Sequence, residues 1–182
     1  DNNKFIDTTM GSGAQIIGHN NSLIKKISKQ IKKGTVYTIP NYHTKKVNSY
    51  LNYINPELHN EYIFCNSGTE ANMRALRLAR AYTGKDIIEP VQGSNPRSDI
   101  KEFLQKLRNH CTKVGVLLIL DEIMTGFRLS KNGGAGIFNI KPDIITYGKV
   151  LGGGFPIGVV GGKKEIMDTK NVFYGGTFSS IP

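Results

Sequence analysis

The sequence predicts an α/β fold, a mostly parallel sheet flanked by helices. Three observations carry that expectation. Residues 114–120 form an unbroken apolar run, which suits a central strand covered on both faces. Shorter apolar segments at 62–65, 143–146 and 157–160 have strand length. Helical patterns separate these segments, and strands alternating with helices build layered α/β domains. Right-handed crossovers would then gather the loops after the strands along one edge, where ligands bind.

The elements follow in chain order. Residues 4–9 read as a short strand, and Gly11-Ser12-Gly13 as a turn. Asn21 or Ser22 can cap a helix that carries Leu23, Ile24, Ile27 and Ile31 on one face, with Gly34 as its C-cap. A second helix starts near Tyr42 and ends before Pro56. After the strand at 62–65, Ser67 or Thr69 caps a helix over 70–82 that stops at Gly84. Residues 100–111 form a further helix, with Phe103, Leu104 and Leu107 on its buried face.

Composition excludes several classes. The chain has 182 residues, 38% of them hydrophobic, enough for a domain with a real core. No apolar run reaches the roughly 18 residues of a membrane-spanning helix. The opening Asp1-Asn2-Asn3-Lys4 lacks the apolar core of a signal peptide. The net charge of +10 comes from scattered lysines, as in Lys25-Lys26, Lys32-Lys33 and Lys45-Lys46. That pattern reads as a solvated surface rather than the clustered stripe of a nucleic-acid binder. Cys65 and Cys111 form no C-x-x-C, and the four histidines show no H-E-x-x-H, so no metal site is expected. Reduced thiols and a cytoplasmic location are the expectation.

Four segments carry chemistry. The sequence contains neither G-x-x-x-x-G-K-[ST] nor G-x-G-x-x-G, so P-loop and dinucleotide readings fail. Asn66-Ser67-Gly68-Thr69-Glu70-Ala71 lies between a strand and a helix. Its hydroxyls and free helix amides make either an anion site or a plain N-cap. Asp121-Glu122 follows the apolar run. A carboxylate there can hold a metal, orient a base, pair with a protonated ring nitrogen, or form a structural ion pair. Lys149 stands after an apolar segment and before Gly152-Gly153-Gly154. It is either a solvated loop lysine or an amine poised for Schiff-base chemistry. Gly175-Gly176-Thr177 is a last hydroxyl-bearing turn able to meet an anion.

As an ordered set these segments resemble the class III pyridoxal-phosphate-dependent aminotransferases, most like the branch containing glutamate-1-semialdehyde 2,1-aminomutase. The resemblance rests on Ser67-Gly68-Thr69-Glu70-Ala71, Leu78-Ala79-Arg80-Ala81-Tyr82-Thr83-Gly84, Glu89-Pro90-Val91, Asp121-Glu122-Ile123-Met124-Thr125-Gly126-Phe127-Arg128, Pro142-Asp143, Gly148-Lys149 and the stretch 152–156. It covers nearly the whole chain. It implies the large domain of fold type I, the aspartate-aminotransferase-like fold, and pyridoxal 5′-phosphate as cofactor. Lys149 and Asp121 would be the catalytic pair, one forming the Schiff base and the other facing the pyridine nitrogen. Ser67, Gly68 and Thr69 would hold the phosphate, and Ile123 would pack on the ring. Met124 stands where many members carry a Gln facing the phenolic oxygen. Gly176 and Thr177 would reach the cofactor of a second subunit, so the resemblance implies a homodimer. Glu89 and Glu122 are assigned no catalytic role.

The implied reaction is transfer of an amino group from an amino-acid donor to a carbonyl acceptor. The alternatives are the intramolecular transfer of the aminomutase and a catalytically inactive binding subunit. Residues 1–56 would lead into the large domain, which would occupy 57–182. Relative to the family pattern, a segment with a stacking aromatic is missing near residues 87–88. On the same pattern, the family's C-terminal small domain would lie outside these 182 residues. The Gly133-Gly134-Ala135-Gly136-Ile137 and Ser179-Ser180-Ile181-Pro182 stretches depart from the aminomutase pattern and favour an intermolecular transferase.

Overall fold

In the computed structural model the described residues are 3–18, 22–37, 41–56, 61–86 and 99–172. The elements in chain order are α1 (Met10–Gly13), α2 (Leu23–Ile31), α3 (Tyr42–Ile54), β1 (Glu61–Cys65), α4 (Gly68–Thr83), α5 (Ile100–Val114), β2 (Ile119–Asp121), α6 (Gly133–Phe138), β3 (Ile144–Tyr147), β4 (Gly158–Gly162) and α7 (Lys164–Met167). A 3-10 turn, Lys149–Gly152, follows β3.

The sheet order is β1-β4-β3-β2. β2 and β3 are parallel, and β4 runs antiparallel to both β3 and β1. Three strands therefore share one direction, and one reversed strand sits between two of them. The expected mostly parallel sheet is a mixed one. The reversal has a local cause: β3 reaches β4 through a short connection over residues 148–157, which folds the chain straight back. A parallel pairing would need a crossover of a dozen or more residues.

The sheet buries both faces. Along β3, Ile144 packs with Ala71, Ala75, Leu78, Val160 and Ile166 on the α4 side. Ile145 and Tyr147 pack with Leu51, Tyr62 and Val159 on the α3 side. This is the two-residue alternation of a strand used twice, once for each layer. Alanines at 71, 75 and 79 let α4 lie close on the sheet, and Gly84 in the left-handed region ends it, as expected. Asn41 caps α3 through its side chain, which accepts the amides of His43 and Thr44. Beyond its end, the Asn55 amide donates to the buried Tyr147 hydroxyl at 3.0 Å.

Four local expectations are corrected. Residues 3–9 carry no strand: the Asp7 carboxylate accepts the amides of Thr9 and Met10 and turns the chain. The turn at 11–13 belongs to α1, where Gly11 and Ser12 are left-handed. α2 ends at Ile31 with Lys32 as C-cap, two residues before Gly34. The apolar run at 114–120 splits. Val114 completes α5, Gly115 stops it in the left-handed region, and only Ile119–Asp121 joins the sheet, at the edge of the described strands. Asp143 explains the shortening. Its side chain accepts the Leu118 amide, while the Leu118 carbonyl accepts the backbone amides of Asp143 and Ile144, so the Leu118 amide is bound by a side chain and not by a strand partner. The central, wholly buried strands are β3 and β4.

Candidate active site

Because β1, β2 and β3 point the same way, their C-terminal ends open on one edge. The register shows it: Cys65 lies opposite Gly158, Val159 opposite Tyr147, and Asp121 opposite Thr146. The loops that follow carry Ser67, Gly68 and Thr69, then Ile123 and Met124, then Lys149. Seven of the nine residues singled out from sequence thus converge. Gly176 and Thr177 lie outside the described residues, as does Glu89.

The first loop is built by its cap. The Ser67 hydroxyl accepts the Glu70 amide at 3.1 Å. Glu70 accepts the Asn66 amide at 2.9 Å and is paired with Arg74. Burial works against the charge on Glu70, but the Asn66 amide and the Arg74 guanidinium outweigh it and hold the carboxyl below its ordinary value. The first-turn amides of Gly68 and Thr69 have no partner among the described residues. Two glycines permit the close packing behind them. A Cβ on Gly68 would stand 2.6 Å from Ile123 Cδ1, and one on Gly158 would overlap the Ser67 carbonyl.

The two carboxylates after β2 have opposite fates. Asp121 is exposed. Its Oδ1 accepts the Ile123 amide at 2.9 Å and its Oδ2 accepts the Asn72 side-chain amide at 2.8 Å. No cation pairs with Asp121 among the described residues. Glu122 is 1% exposed. It accepts the amides of Gly134 and Ala135 and the Thr125 hydroxyl, so it braces the loop against the start of α6. Ile123 sits between the loops: a Cβ on Gly68 would collide with it, and a Cβ on Gly148 would stand 3.4 Å from its Cγ2. The Met124 side chain is exposed, and its carbonyl accepts from Arg128.

Lys149 is half-buried, and its backbone is left-handed at φ 42°. A non-glycine residue there is strained by about 1 kcal/mol or more, a cost typical of functional positions. Its Nζ donates to the Ser12 carbonyl at 3.3 Å. The Arg128 guanidinium donates to the Gly13 carbonyl, which brings the α1 turn against the same loops.

The arrangement suits an anionic, ring-bearing cofactor with an electrophilic carbon. The Ser67 and Thr69 hydroxyls and the first-turn amides of Gly68 and Thr69 lie in one turn that can serve an anion, and a carboxylate with no cation paired to it among the described residues can take a protonated ring nitrogen. Ile123 supplies an apolar surface between them, and a primary amine lies at the third loop. Sequence reading missed Asn72, and it read the turn at 11–13 without giving it a place at the site. Asn72 left a signal, since an Asn one turn into a helix is a poor helix former unless its side chain has a task. The α1 turn left only its glycines.

Comparison with known proteins places the chain in a family. The class-III aminotransferase model matches residues 1–86 and 86–182. The chain is 33% identical over 254 residues to glutamate-1-semialdehyde 2,1-aminomutase of Sulfolobus acidocaldarius, covering all of this chain and 60% of that protein. An omega-transaminase from Sphaerobacter thermophilus superposes with a TM-score of 0.83 at 24% identity, covering 96% of this chain and 58% of the other. A transaminase with PLP bound superposes at 0.81 and 21% identity, covering 95% and 58%. The chain therefore spans about 60% of the length of its curated relatives. The family model matches the chain over residues 1–86 and 86–182 and the Sulfolobus relative matches all of it, so the chain belongs to the class-III aminotransferase family.

Proposed function

We propose that the chain is the cofactor-binding part of a pyridoxal 5′-phosphate enzyme that moves an amino group from an amino-acid donor to a carbonyl acceptor. The observation that carries this reading is the convergence of Lys149, Asp121 and the Ser67-Gly68-Thr69 turn on one sheet edge. Family membership supports the cofactor, and so does the PLP-bound transaminase of the same fold.

When bound, the cofactor supplies an electron-withdrawing ring that takes up the electron pair of a broken substrate Cα–H bond. The chain's own residues do the rest. The Ser67 and Thr69 hydroxyls and the Gly68 and Thr69 amides would bind the phosphate. Ile123 would support one ring face, with Met124 beside it. Asp121 would hold a proton at the ring nitrogen, which sustains the electron demand. Lys149 Nζ would hold the aldehyde carbon and then move the proton from the substrate Cα. Gly176 and Thr177 would serve a second subunit's phosphate, which makes a homodimer part of the proposal. A cytoplasmic location fits the buried, free thiols of Cys65 and Cys111; among the described residues no helix is long and apolar enough to cross a membrane.

The division at residues 56 and 57 and a missing stretch near 87–88 stay within this proposal. The family match breaks at residue 86, and the match to the Sulfolobus protein extends over more residues than this chain has. Both facts support a stretch of the family's sequence being absent there.

One observation favours a second reading. The Sulfolobus relative is an aminomutase, an enzyme of intramolecular amino transfer. The two readings are separated by adding excess glutamate to PLP-loaded protein and quantifying 2-oxoglutarate against cofactor. Near-stoichiometric release establishes intermolecular transfer. Retained cofactor without release, together with turnover of glutamate 1-semialdehyde, establishes the aminomutase. Protein that neither binds PLP nor turns over either substrate is a catalytically inactive binding subunit.

A further inference from the structure

Asp121 cannot hold a ring proton unless its carboxylate keeps one orientation, and the backbone alone does not set it. The Ile123 amide restrains Oδ1. The other oxygen is restrained from outside the loop, by Asn72 on α4 at 2.8 Å. Asn72 is itself oriented. The Thr146 hydroxyl, on the fully buried β3 residue opposite Asp121, donates to Asn72 Oδ1 at 2.7 Å. The direction of this chain follows from charge. A flipped Asn72 would point its carbonyl at a carboxylate, so its amide nitrogen must face Asp121. Thr146 must then donate, because its partner is an acceptor.

We infer that Asn72, oriented by Thr146, is a positioning residue for Asp121. The pair joins the three elements that carry the site: α4 behind the Ser67 turn, the end of β2, and β3 leading to Lys149. Its donor is neutral, so Asp121 gains orientation without losing its charge to an internal ion pair. A Lys or Arg at the same place would neutralise the carboxylate and leave the ring nitrogen without a partner. The inference rests on the cofactor reading above.

The test uses the full chain loaded with PLP, with two readouts besides activity: the PLP dissociation constant, and the midpoint of the pH titration of the cofactor's visible band. Asn72→Ala weakens PLP binding by about tenfold, the scale of one hydrogen bond to a charged group. It also moves the midpoint upward, because a loosely held ring proton withdraws less charge from the nitrogen linked to Lys149. Thr146→Val shifts both readouts the same way by less. The double variant falls no further than Asn72→Ala, because the hydroxyl acts only through the amide.

Wild-type affinity and midpoint in Asn72→Ala overturn the inference, as does a downward shift. So do effects of the two variants that simply add. A purely structural role lowers the melting temperature and leaves the midpoint in place, which also overturns it. Should Asn72→Ala fail to fold, Thr146→Val carries the same comparison. Wild-type protein that holds no PLP removes the cofactor reading itself, and the inference with it; the wild-type titration tells the two failures apart.

Discussion

α2 and α4 are both amphipathic helices, yet one buries nothing and the other organises the molecule. α2 presents Leu23, Ile24 and Ile31 to solvent, at 38%, 46% and 56% exposure. α4 buries Ala71, Arg74, Ala75, Leu78 and Ala79. Apart from Leu78, the buried apolar residues of α4 are alanines, whereas the apolar face of α2 is leucine and isoleucine. An apolar stripe marks which face is available, whereas close docking depends on the size of the residues along it. The alanine row of α4 lets the backbone approach β3 and β4, and that approach brings Asn72 to Asp121 and Thr146. The comparison also separates lysines. Lys25 and Lys29 on α2 are exposed, while Lys149 is half-buried beside the converging loops.

The largest expected effect sharpens that last contrast. Lys149→Ala should abolish the borohydride-reducible cofactor adduct entirely, whereas Lys25→Ala and Lys29→Ala should leave it intact. Peptide mapping of the reduced protein is the check, and a phosphopyridoxyl group mapped elsewhere would sink the assignment.

Next in size is the packing difference. Leu78→Ala should cost about 2–5 kcal/mol of unfolding free energy, the range for fully buried leucines. Ile24→Ala on α2 should change stability by no more than about 0.5 kcal/mol. Urea unfolding of both variants decides, and a large loss from Ile24→Ala would show that α2 has a partner.

A third prediction concerns Asp143, which anchors the buried strands in a way nothing on α2 does. Burial pushes its carboxyl up, but the Leu118 amide, Lys163 and Arg108 outweigh this and hold it below the ordinary value. A depressed carboxyl stabilises the fold fully above its unfolded pKa of about 4 and loses that contribution as pH falls through the folded value. Unfolding free energy should therefore decline on acidification below about pH 4. Asp143→Asn should flatten that decline and cost about 2 kcal/mol at neutral pH, the scale of bonds to a charged group. An unchanged acid limb would refute it.

The smallest effect tests the caps. Ser67→Ala, which removes a side-chain cap, should cost about 1 kcal/mol. Ser22→Ala should cost less, since Ser22 makes no side-chain cap bond at α2. Thermal melts of the pair order them.

Local chemistry was legible in the residues themselves. Ser67 and Gly84 bound α4, a helix was expected from near Tyr42, and the motif order placed Ser67, Asp121 and Lys149 after strands. Such features depend on neighbours a few residues apart, so short stretches of sequence determine them. What lay beyond reach depends on partners far along the chain. Residues 4–9 have strand composition but lose it to the Asp7 turn. Residues 114–120 look like one strand, yet Asp143 claims Leu118 from 25 positions away. Neighbouring carboxylates at 121 and 122 read alike, and packing made one an exposed acceptor and the other a buried brace. Asn72 became part of the site only through contacts 49 and 74 positions distant. The sequence by itself determined which residues could do the chemistry and which strand ends would present them. The tertiary structure decided the reversed strand β4, the partners of each carboxylate and the orientation of Asp121. Those are set by the packing of distant segments, whose free energies no local pattern contains.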